Sequence, residues 1–199
     1  MARPIALVTG ASSGIGERIA LRLASSGNDL VLVARRGDEL ARVAALAAAD
    51  GAACETIVAD LSQGADVAKV EARIADDSRP IEILVNSAGI CPLGEVLEFG
   101  RDKWDATVGV NLTAAFEMSF EAAKYFVPQR SGKIINICSM FSFLGGRLSS
   151  AYAATKHGIA GFTKAYCDEL AEHNIQVNGI APGYYATAIT TNTRSNPVT

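Results

Sequence analysis

The sequence predicts a doubly wound α/β fold, in which a mostly parallel sheet lies between layers of helices. Three observations indicate this class. Short aliphatic runs alternate with longer, Ala-rich runs of helical period along the whole chain. The strand-like runs are nearly continuously apolar, as in strands buried on both faces of a parallel sheet. The 199 residues contain no repeat and no linker, so we expect one domain over residues 1–199.

Six strands and five helices follow from this alternation. Gly27 and Asn174 stand where helices are expected to stop. The segment Gly183–Thr199 is polar and contains no strand pattern, so we expect it to be a loop. The predicted strands are Ile5–Thr9, Leu30–Ala34, Glu55–Ala59, Ile81–Asn86, Lys133–Cys138 and Gln176–Ile180, and the predicted helices are Ile15–Ser26, Asp38–Ala49, Asp66–Ala75, Arg101–Phe126 and Ser150–His173.

Composition and charge argue against several classes of protein. The net charge is −3 and no basic cluster occurs, whereas binding to a phosphate backbone needs clustered Lys and Arg, so we expect no nucleic-acid partner. The longest apolar runs, such as Ile5–Val8 and Leu30–Ala34, are too short to cross a bilayer, so we expect no membrane partner. The four cysteines show neither C-x-x-C nor metal-ligand spacing. This pattern predicts reduced thiols in a cytoplasmic protein and no metal site.

A glycine-rich turn joins the first predicted strand to the first predicted helix. Glycines allow the backbone to turn tightly and to approach a pyrophosphate, and the helix N-terminus supplies free N–H groups. A turn at this place is typical of the dinucleotide site of a Rossmann fold. We therefore predict cofactor contacts from Gly10, Ser12, Ser13, Gly14, Ile15 and Gly16.

The end of the second predicted strand indicates which dinucleotide binds. An NAD site carries an acidic residue there that holds the ribose 2′-hydroxyl. In this sequence Ala34 stands at that point, and Arg35 and Arg36 follow it. Guanidinium groups bind a 2′-phosphate bidentately, so we expect NADP(H) to be preferred, with NAD(H) as the second choice. The alternative is that both arginines are solvated residues at the start of a helix.

Tyr152 and Lys156 are candidates for proton transfer. They lie four residues apart on a predicted helix and therefore share one face. A free phenol has a pKa near about 10, and a neighbouring ammonium lowers that pKa by favouring the phenolate. Ser139 follows the preceding predicted strand and can hydrogen-bond the same substrate oxygen. A Tyr–Lys pair at this spacing is common on solvated helices, so the pair alone is weak evidence.

Several motifs, in this order along the chain, resemble those of the short-chain dehydrogenase/reductase family. The glycine turn has the spacing T-G-x-x-x-G-x-G, and Asn86-Ser87-Ala88-Gly89 is similar to the family's N-N-A-G turn, with Ser in place of the second Asn. Asn111 stands where the family has a helix-bending asparagine. Ser139 precedes Tyr152 at the family's usual spacing, and Pro182-Gly183 with Thr187 is similar to P-G-x-x-x-T. The resemblance extends over the whole chain.

The resemblance implies a role for each of four residues. Tyr152 is the general acid/base, and Lys156 lowers its pKa and binds the nicotinamide ribose. Ser139 orients the substrate oxygen, and Asn111 holds a water that links Lys156 to solvent. Asp60 and Leu61, after the third predicted strand, resemble the family's adenine-contacting pair, although Asp60 could instead be a helix-capping or turn residue. Beyond the glycine turn and the arginines, the resemblance implies cofactor contacts from Asp60, Leu61, Asn86, Ala88, Gly89, Tyr152, Lys156, Pro182, Gly183 and Thr187.

The substrate is a small carbonyl or alcohol compound, and several classes stay open. The segments 139–146 and 182–187 resemble the gluconate 5-dehydrogenase and 2-deoxy-gluconate 3-dehydrogenase branch, which implies a sugar acid. A ketoacyl group on a carrier is an alternative, and so is a non-catalytic nucleotide-binding regulator on the same fold. An apolar ketone is favoured by the aromatic residues of the predicted rim, which are Phe141, Phe143, Tyr184 and Tyr185.

Two long predicted helices, Arg101–Phe126 and Ser150–His173, carry more apolar and small residues than one sheet face needs. The resemblance implies a homotetramer built through them, with a dimer as the lesser alternative. Family members continue through a substrate lid and a final strand, and we expect both to be missing from this sequence. Close approach of helices would be allowed by Ala153, Ala154, Gly158 and Gly161.

Overall fold

The computed structural model describes residues 3–185, which form a six-stranded parallel sheet covered by helices on both faces. The strands lie in the order β3-β2-β1-β4-β5-β6. The predicted doubly wound sheet is confirmed. In chain order the elements are β1 (Ile5–Thr9), α1 (Gly14–Ser25), β2 (Asp29–Ala34), α2 (Gly37–Ala48), β3 (Cys54–Val58), α3 (Gly64–Ile74), β4 (Ile81–Asn86), α4 (Arg101–Val108), α5 (Ala114–Gln129), β5 (Gly132–Ile137), α6 (Ser150–Ala171) and β6 (Ile175–Ile180).

Both faces of the central strands are buried, which explains their continuous apolar sequences. All five residues of β1 are buried, and they alternate between two apolar layers. Leu7 belongs to the layer covered by α3 and α5, whereas Val8 belongs to the layer covered by α1 and α2. The chain adds β2 and β3 on one side of β1 and then β4 to β6 on its other side. Because the crossover connections keep one handedness, this reversal places helices on both faces of the sheet.

The predicted helix Arg101–Phe126 is wrong as a single element. The structure divides it into α4 and α5, with a π-helical turn at Gly109–Thr113 between them, and α5 continues to Gln129. The side chain of Asn111 explains the break, because it bonds outside its own helix. Its Nδ2 donates to the Ile90 carbonyl (2.9 Å) and to Thr155 Oγ1 (3.2 Å), and its Oδ1 accepts from the Ile90 N–H (2.8 Å).

The other predicted bounds agree with the structure to within two residues, and β1 and β4 match it at both ends. The two predicted helix stops have the backbone that such positions need, since Gly27 has φ 93° and Asn174 has φ 62°. No helix within residues 3–185 is long and apolar enough to span a membrane. Thr187 and most of the expected C-terminal loop lie outside the described residues.

Candidate active site

A cleft of about 720 Å³ opens at the carboxyl ends of the strands, where β1 and β4 separate the two halves of the sheet. This is the place where doubly wound folds bind ligands. The cleft brings together nearly all of the residues that the sequence singled out. They are Gly10, Ser12, Ser13, Gly14, Ile15, Gly16, Arg35, Arg36, Asp60, Leu61, Ala88, Gly89, Ser139, Tyr152, Lys156, Pro182 and Gly183.

The glycine turn at one end of the cleft has a shape that side chains would prevent. Gly10 has φ 67°, and a Cβ there would lie 2.9 Å from the backbone of Ala88. A Cβ on Gly16 would lie far inside contact distance of the Gly10 carbonyl oxygen. Ser13 makes no side-chain bond to the first turn of α1, so an anion can take the capping role there. The turn therefore fits a pyrophosphate.

Thr9 fixes this turn to the neighbouring strand, a role that the sequence analysis missed. Its Oγ1 accepts from the N–H groups of Ser87 (3.0 Å) and Ala88 (3.1 Å) and donates to the Val85 carbonyl (3.4 Å). These bonds hold together the ends of β1 and β4 below the cleft. The available signal was a hydroxyl at the end of an otherwise apolar strand.

Two guanidinium groups form the wall beside the glycine turn. Arg35 and Arg36 are both exposed and line the cleft. The Arg36 Nη2 donates to Ser12 Oγ (3.2 Å) and contacts the Ser12 carbonyl oxygen (3.5 Å), so this side chain lies across the glycine turn. A phosphate bound between the turn and this wall would meet one or two cations.

Asp60 and Leu61 also line the cleft, and they follow β3, the strand next to β2. The Asp60 Oδ1 accepts from the N–H (3.0 Å) and the hydroxyl (2.9 Å) of Ser62, which is the turn role that the sequence left open. An adenine contact by Asp60 and Leu61 stays a prediction, and the position of both residues on the wall of the cleft allows it.

Asn86 lies beneath the cleft and not on its wall, contrary to its predicted place among the cofactor contacts. It is 4% exposed, and its Nδ2 donates to Ser119 Oγ (2.9 Å) and to Asn136 Oδ1 (2.9 Å). The side chain points into the core because the alternation along β4 directs it there, toward α5 and β5. Asn86 therefore joins the end of β4 to α5 and β5.

Lys156 is almost completely buried at the far end of the cleft. Its Nζ donates to the Ile137 carbonyl at 2.6 Å and lies 5.6 Å from the ring centre of Tyr152. Burial lowers the pKa of Lys156 to about 8, because an ammonium loses its hydration there. Lys156 thus lies next to Tyr152, as the spacing predicted, and its ammonium also contacts the end of β5.

Burial also governs Tyr152, which the sequence could not reveal. Removal of the phenol from water raises the pKa of Tyr152, and its interaction with the Ser139 hydroxyl lowers that pKa by a smaller amount. The net pKa shift of Tyr152 is thus opposite in direction to the lowering that was expected from Lys156. A phenol of raised pKa keeps its proton at neutral pH, so Tyr152 can donate it to an oxygen that gains negative charge.

Cys91 and Cys138 line the same cleft and were not predicted as part of it. Burial raises the pKa of Cys91 to about 11, and it also raises the pKa of Cys138, although Lys156 opposes both shifts. Thiols with raised pKa values are neutral at physiological pH and are poor nucleophiles.

Among residues 3–185 no group of His, Cys, Asp and Glu could hold a metal ion.

The comparisons with known proteins agree with this geometry. A curated relative, an uncharacterized oxidoreductase of Escherichia coli K12 named YgcW, is 52% identical over 98% of this chain and 74% of its own. The 2-dehydro-3-deoxy-D-gluconate 5-dehydrogenase of the same strain is 39% identical over 96% of this chain and 76% of its own. A short-chain dehydrogenase from Sphingobium yanoikuyae, solved in complex with NADPH, superposes with a TM-score of 0.92 at 35% identity. That comparison covers 98% of this chain and 77% of the other.

The family assignment follows from sequence and fold together. The sequence model of the short chain dehydrogenases matches residues 4–198, nearly the whole chain. The glycine turn and the Ser139, Tyr152 and Lys156 side chains line one cleft on the fold that the resemblance implied. This chain belongs to the short-chain dehydrogenase family of oxidoreductases.

Proposed function

We propose that this protein transfers a hydride between NADP(H) and a carbonyl or secondary alcohol carbon. The observation that carries this proposal is the single cleft that joins the glycine turn and the arginines at one end to Ser139, Tyr152 and Lys156 at the other. The bound nicotinamide would supply or accept the hydride. The glycine turn, which leaves no room for a Cβ at Gly16, fits the pyrophosphate of that cofactor.

The residues at the far end of the cleft would handle the proton. In reduction, Tyr152 donates its phenolic proton to the carbonyl oxygen as charge develops on it, and Ser139 donates a hydrogen bond to the same oxygen. Lys156 holds a buried positive charge beside Tyr152, which stabilises the phenolate that remains. Asn111 is proposed to hold the water that links Lys156 to solvent, and its side-chain bonds to the Ile90 backbone and to Thr155 fix its position.

A preference for NADPH over NADH is proposed from Arg35 and Arg36. Both side chains line the cleft beside Ser12, and a relative of the same fold was solved with NADPH. Substitution Arg35→Ala should weaken NADPH binding by about 10- to 100-fold, since a charge-assisted bidentate contact contributes about 1.5–3 kcal/mol. Binding of NADH should change much less, and fluorescence titration of both nucleotides measures the difference. An equal loss for both would contradict a 2′-phosphate contact by Arg35.

We propose a sugar acid as the substrate class, because the relative of 39% identity is named for a deoxy-gluconate. Exposed aromatic side chains at the rim favour an apolar ketone as the second candidate, since Phe143 is 65% exposed and Tyr185 is 64% exposed. To separate these classes, the oxidation of NADPH can be measured by its absorbance with a panel of keto-gluconates, ketoacyl thioesters and aryl ketones as substrates. If no member of the panel is reduced and no alcohol is oxidised, a nucleotide-binding regulator is the better description.

Assembly and location are proposed from the surface and the thiols. On α5 and α6 an aromatic cluster contains the exposed Phe116 and Phe120 and the half-buried Phe162 and Tyr166, with contacting ring centres 4.3–6.5 Å apart. A cluster of this kind suits contact with a second copy, so we propose a homotetramer, or a dimer, built through these helices.

The cysteines are free thiols, which fits a reducing cytoplasm. Residues 1–199 are proposed to form one domain.

A further inference from the structure

Ser142 connects the two segments that carry the proposed proton-transfer residues. It lies in a one-turn 3-10 helix, Met140–Ser142, directly after Ser139, and it is 5% exposed. Its Oγ accepts from the Ser139 N–H (3.2 Å) and donates to the Lys156 carbonyl of α6 (2.7 Å). The hydroxyl therefore uses its donor and an acceptor position to join the turn to the helix.

A second bond fixes the same two segments from the other side. The ammonium of Lys156 donates to the Ile137 carbonyl, so Lys156 is attached through its backbone to Ser142 and through its side chain to the end of β5. The turn itself is closed by the Phe141 N–H, which donates to Ser139 Oγ at 3.2 Å. The ring of Phe141 lies edge-on to Tyr152, with centres 6.0 Å apart. Ser139 and Tyr152 are thus held by one short turn.

We propose that Ser142 is a positioning residue, which sets the separation between Ser139 and the Tyr152–Lys156 face of α6 so that both hydroxyls reach one substrate oxygen. This inference rests on the proposed function and adds a residue to it. Ser142 itself does not touch the reacting atoms, because its hydroxyl faces the backbone of Ser139 and Lys156. Without it, Ser139 would lose the acceptor of its buried N–H, and the turn could shift relative to α6.

The test is the kinetics of Ser142→Ala, in a preparation whose wild type turns over a ketone from the panel above. We expect kcat at saturating NADPH to fall about 10- to 100-fold, because a displacement near 1 Å costs that much in oriented reactions. The KM for NADPH should change by less than about threefold, and the pH profile of kcat should shift. Ser142→Thr, which keeps the hydroxyl, should recover most of the lost kcat. If threonine does not fold, Ser142→Cys, a weak donor of similar shape, should give an intermediate kcat.

Ser149→Ala is the matched control, since Ser149 is 2% exposed on the same loop and its Oγ has no hydrogen-bond partner among the described residues. This control should keep the wild-type kcat and pH profile. A Ser142→Ala protein with wild-type kcat and pH profile, altered only in thermal stability, would overturn the inference. A wild type that reduces no member of the panel would instead contradict the proposed function.

Discussion

At the scale of single residues, burial shifts the pKa values of Lys156 and Tyr152 in opposite directions. It lowers the pKa of the lysine to about 8 and raises that of the tyrosine, so both shifts favour the neutral form. A protonated phenol and a readily lost ammonium proton suit a site that delivers protons to an oxygen near neutral pH. The sequence spacing predicted that these side chains are neighbours, but it could not predict their desolvation, which depends on how the 3-10 turn and β5 cover them.

The first prediction concerns Tyr152. Substitution Tyr152→Phe keeps the ring and removes the proton, so turnover should fall by about 10²–10⁴-fold, the usual contribution of general acid/base assistance. Binding of NADPH, measured by fluorescence, should stay nearly unchanged, because the phenol acts in the transition state. Lys156→Ala should damage both properties, whereas Ser139→Ala should mainly lower turnover. Tyr125→Phe, a change on α5 away from the cleft, is the control. More than about a tenth of wild-type activity in Tyr152→Phe would exclude the mechanism.

The second prediction concerns the stability cost of Lys156. Its pKa is lower in the folded protein than in the unfolded chain, so the buried ammonium costs most below pH 8. Between about pH 8 and 10.5 the unfolded state binds more protons than the folded state, and stability rises with pH. Compared with Lys156→Met, the cofactor-free wild type should therefore gain up to about 3 kcal/mol over this range. Urea unfolding of both proteins at pH 7 and pH 10 measures the gain, and parallel pH dependences would contradict it.

At the scale of elements, the short connections contribute more of the residues that line the cleft than the strands and helices do. The strands could be predicted within one or two residues because their burial on both faces leaves a continuous apolar signature. The π-helical turn at Gly109–Thr113 could not be predicted from periodicity, since its cause is the set of long-range bonds from Asn111 to Ile90 and Thr155. The inward direction of Asn86 was missed for a similar reason, because its partners lie on β5 and α5.

The third prediction tests the glycine turn as an element. In Gly16→Ala the new methyl group would collide with the Gly10 carbonyl, which is backbone and cannot move aside without opening the turn. We expect a loss of about 1–3 kcal/mol in stability, as in other overpacked sites, and loss of most NADPH binding. Gly64→Ala, at the start of α3, is the control, because among residues 3–185 no group outside the first turns of α3 lies within 4 Å of the added Cβ. Thermal unfolding and nucleotide titration check both variants. Equal behaviour of the two would show that close approach at Gly16 does not matter.

At the scale of the whole molecule, the order of strands decides where the chemistry lies. The chain builds β1 to β3 outward in one direction and β4 to β6 in the other, so the carboxyl ends of β1 and β4 flank the cleft. The glycine turn and the arginines, which are proposed to bind phosphate, come from the first half of the chain, and the residues proposed for proton transfer come from the second half. The doubly wound class could be inferred from strand–helix alternation. The strand order and the surface that remains for assembly could be seen only after the elements were placed.

The last prediction concerns that surface. Phe116 is 46% exposed and Phe120 is 50% exposed on α5, and their rings stack with centres 6.1 Å apart. Exposed aromatic side chains in one cluster indicate a contact that excludes water. The double variant Phe116→Asp/Phe120→Asp places two charges in that contact, so sedimentation at micromolar concentration should show a smaller species than the wild type.

Leu97→Asp is the control for this experiment, because Leu97 is 95% exposed on the loop before α4, away from the aromatic cluster. Its change should leave the mass of the assembly unaltered. Gly161→Ala adds a second measurement on α6, because no described residue beyond the neighbouring turns of that helix lies within 4 Å of the added Cβ. If this face of α6 is free, the higher helix propensity of alanine should raise stability by up to about 1 kcal/mol. If it packs closely against a second copy, the added methyl group should weaken the assembly. A wild type that sediments as a monomer, or a double variant of unchanged mass, would refute assembly through α5 and α6.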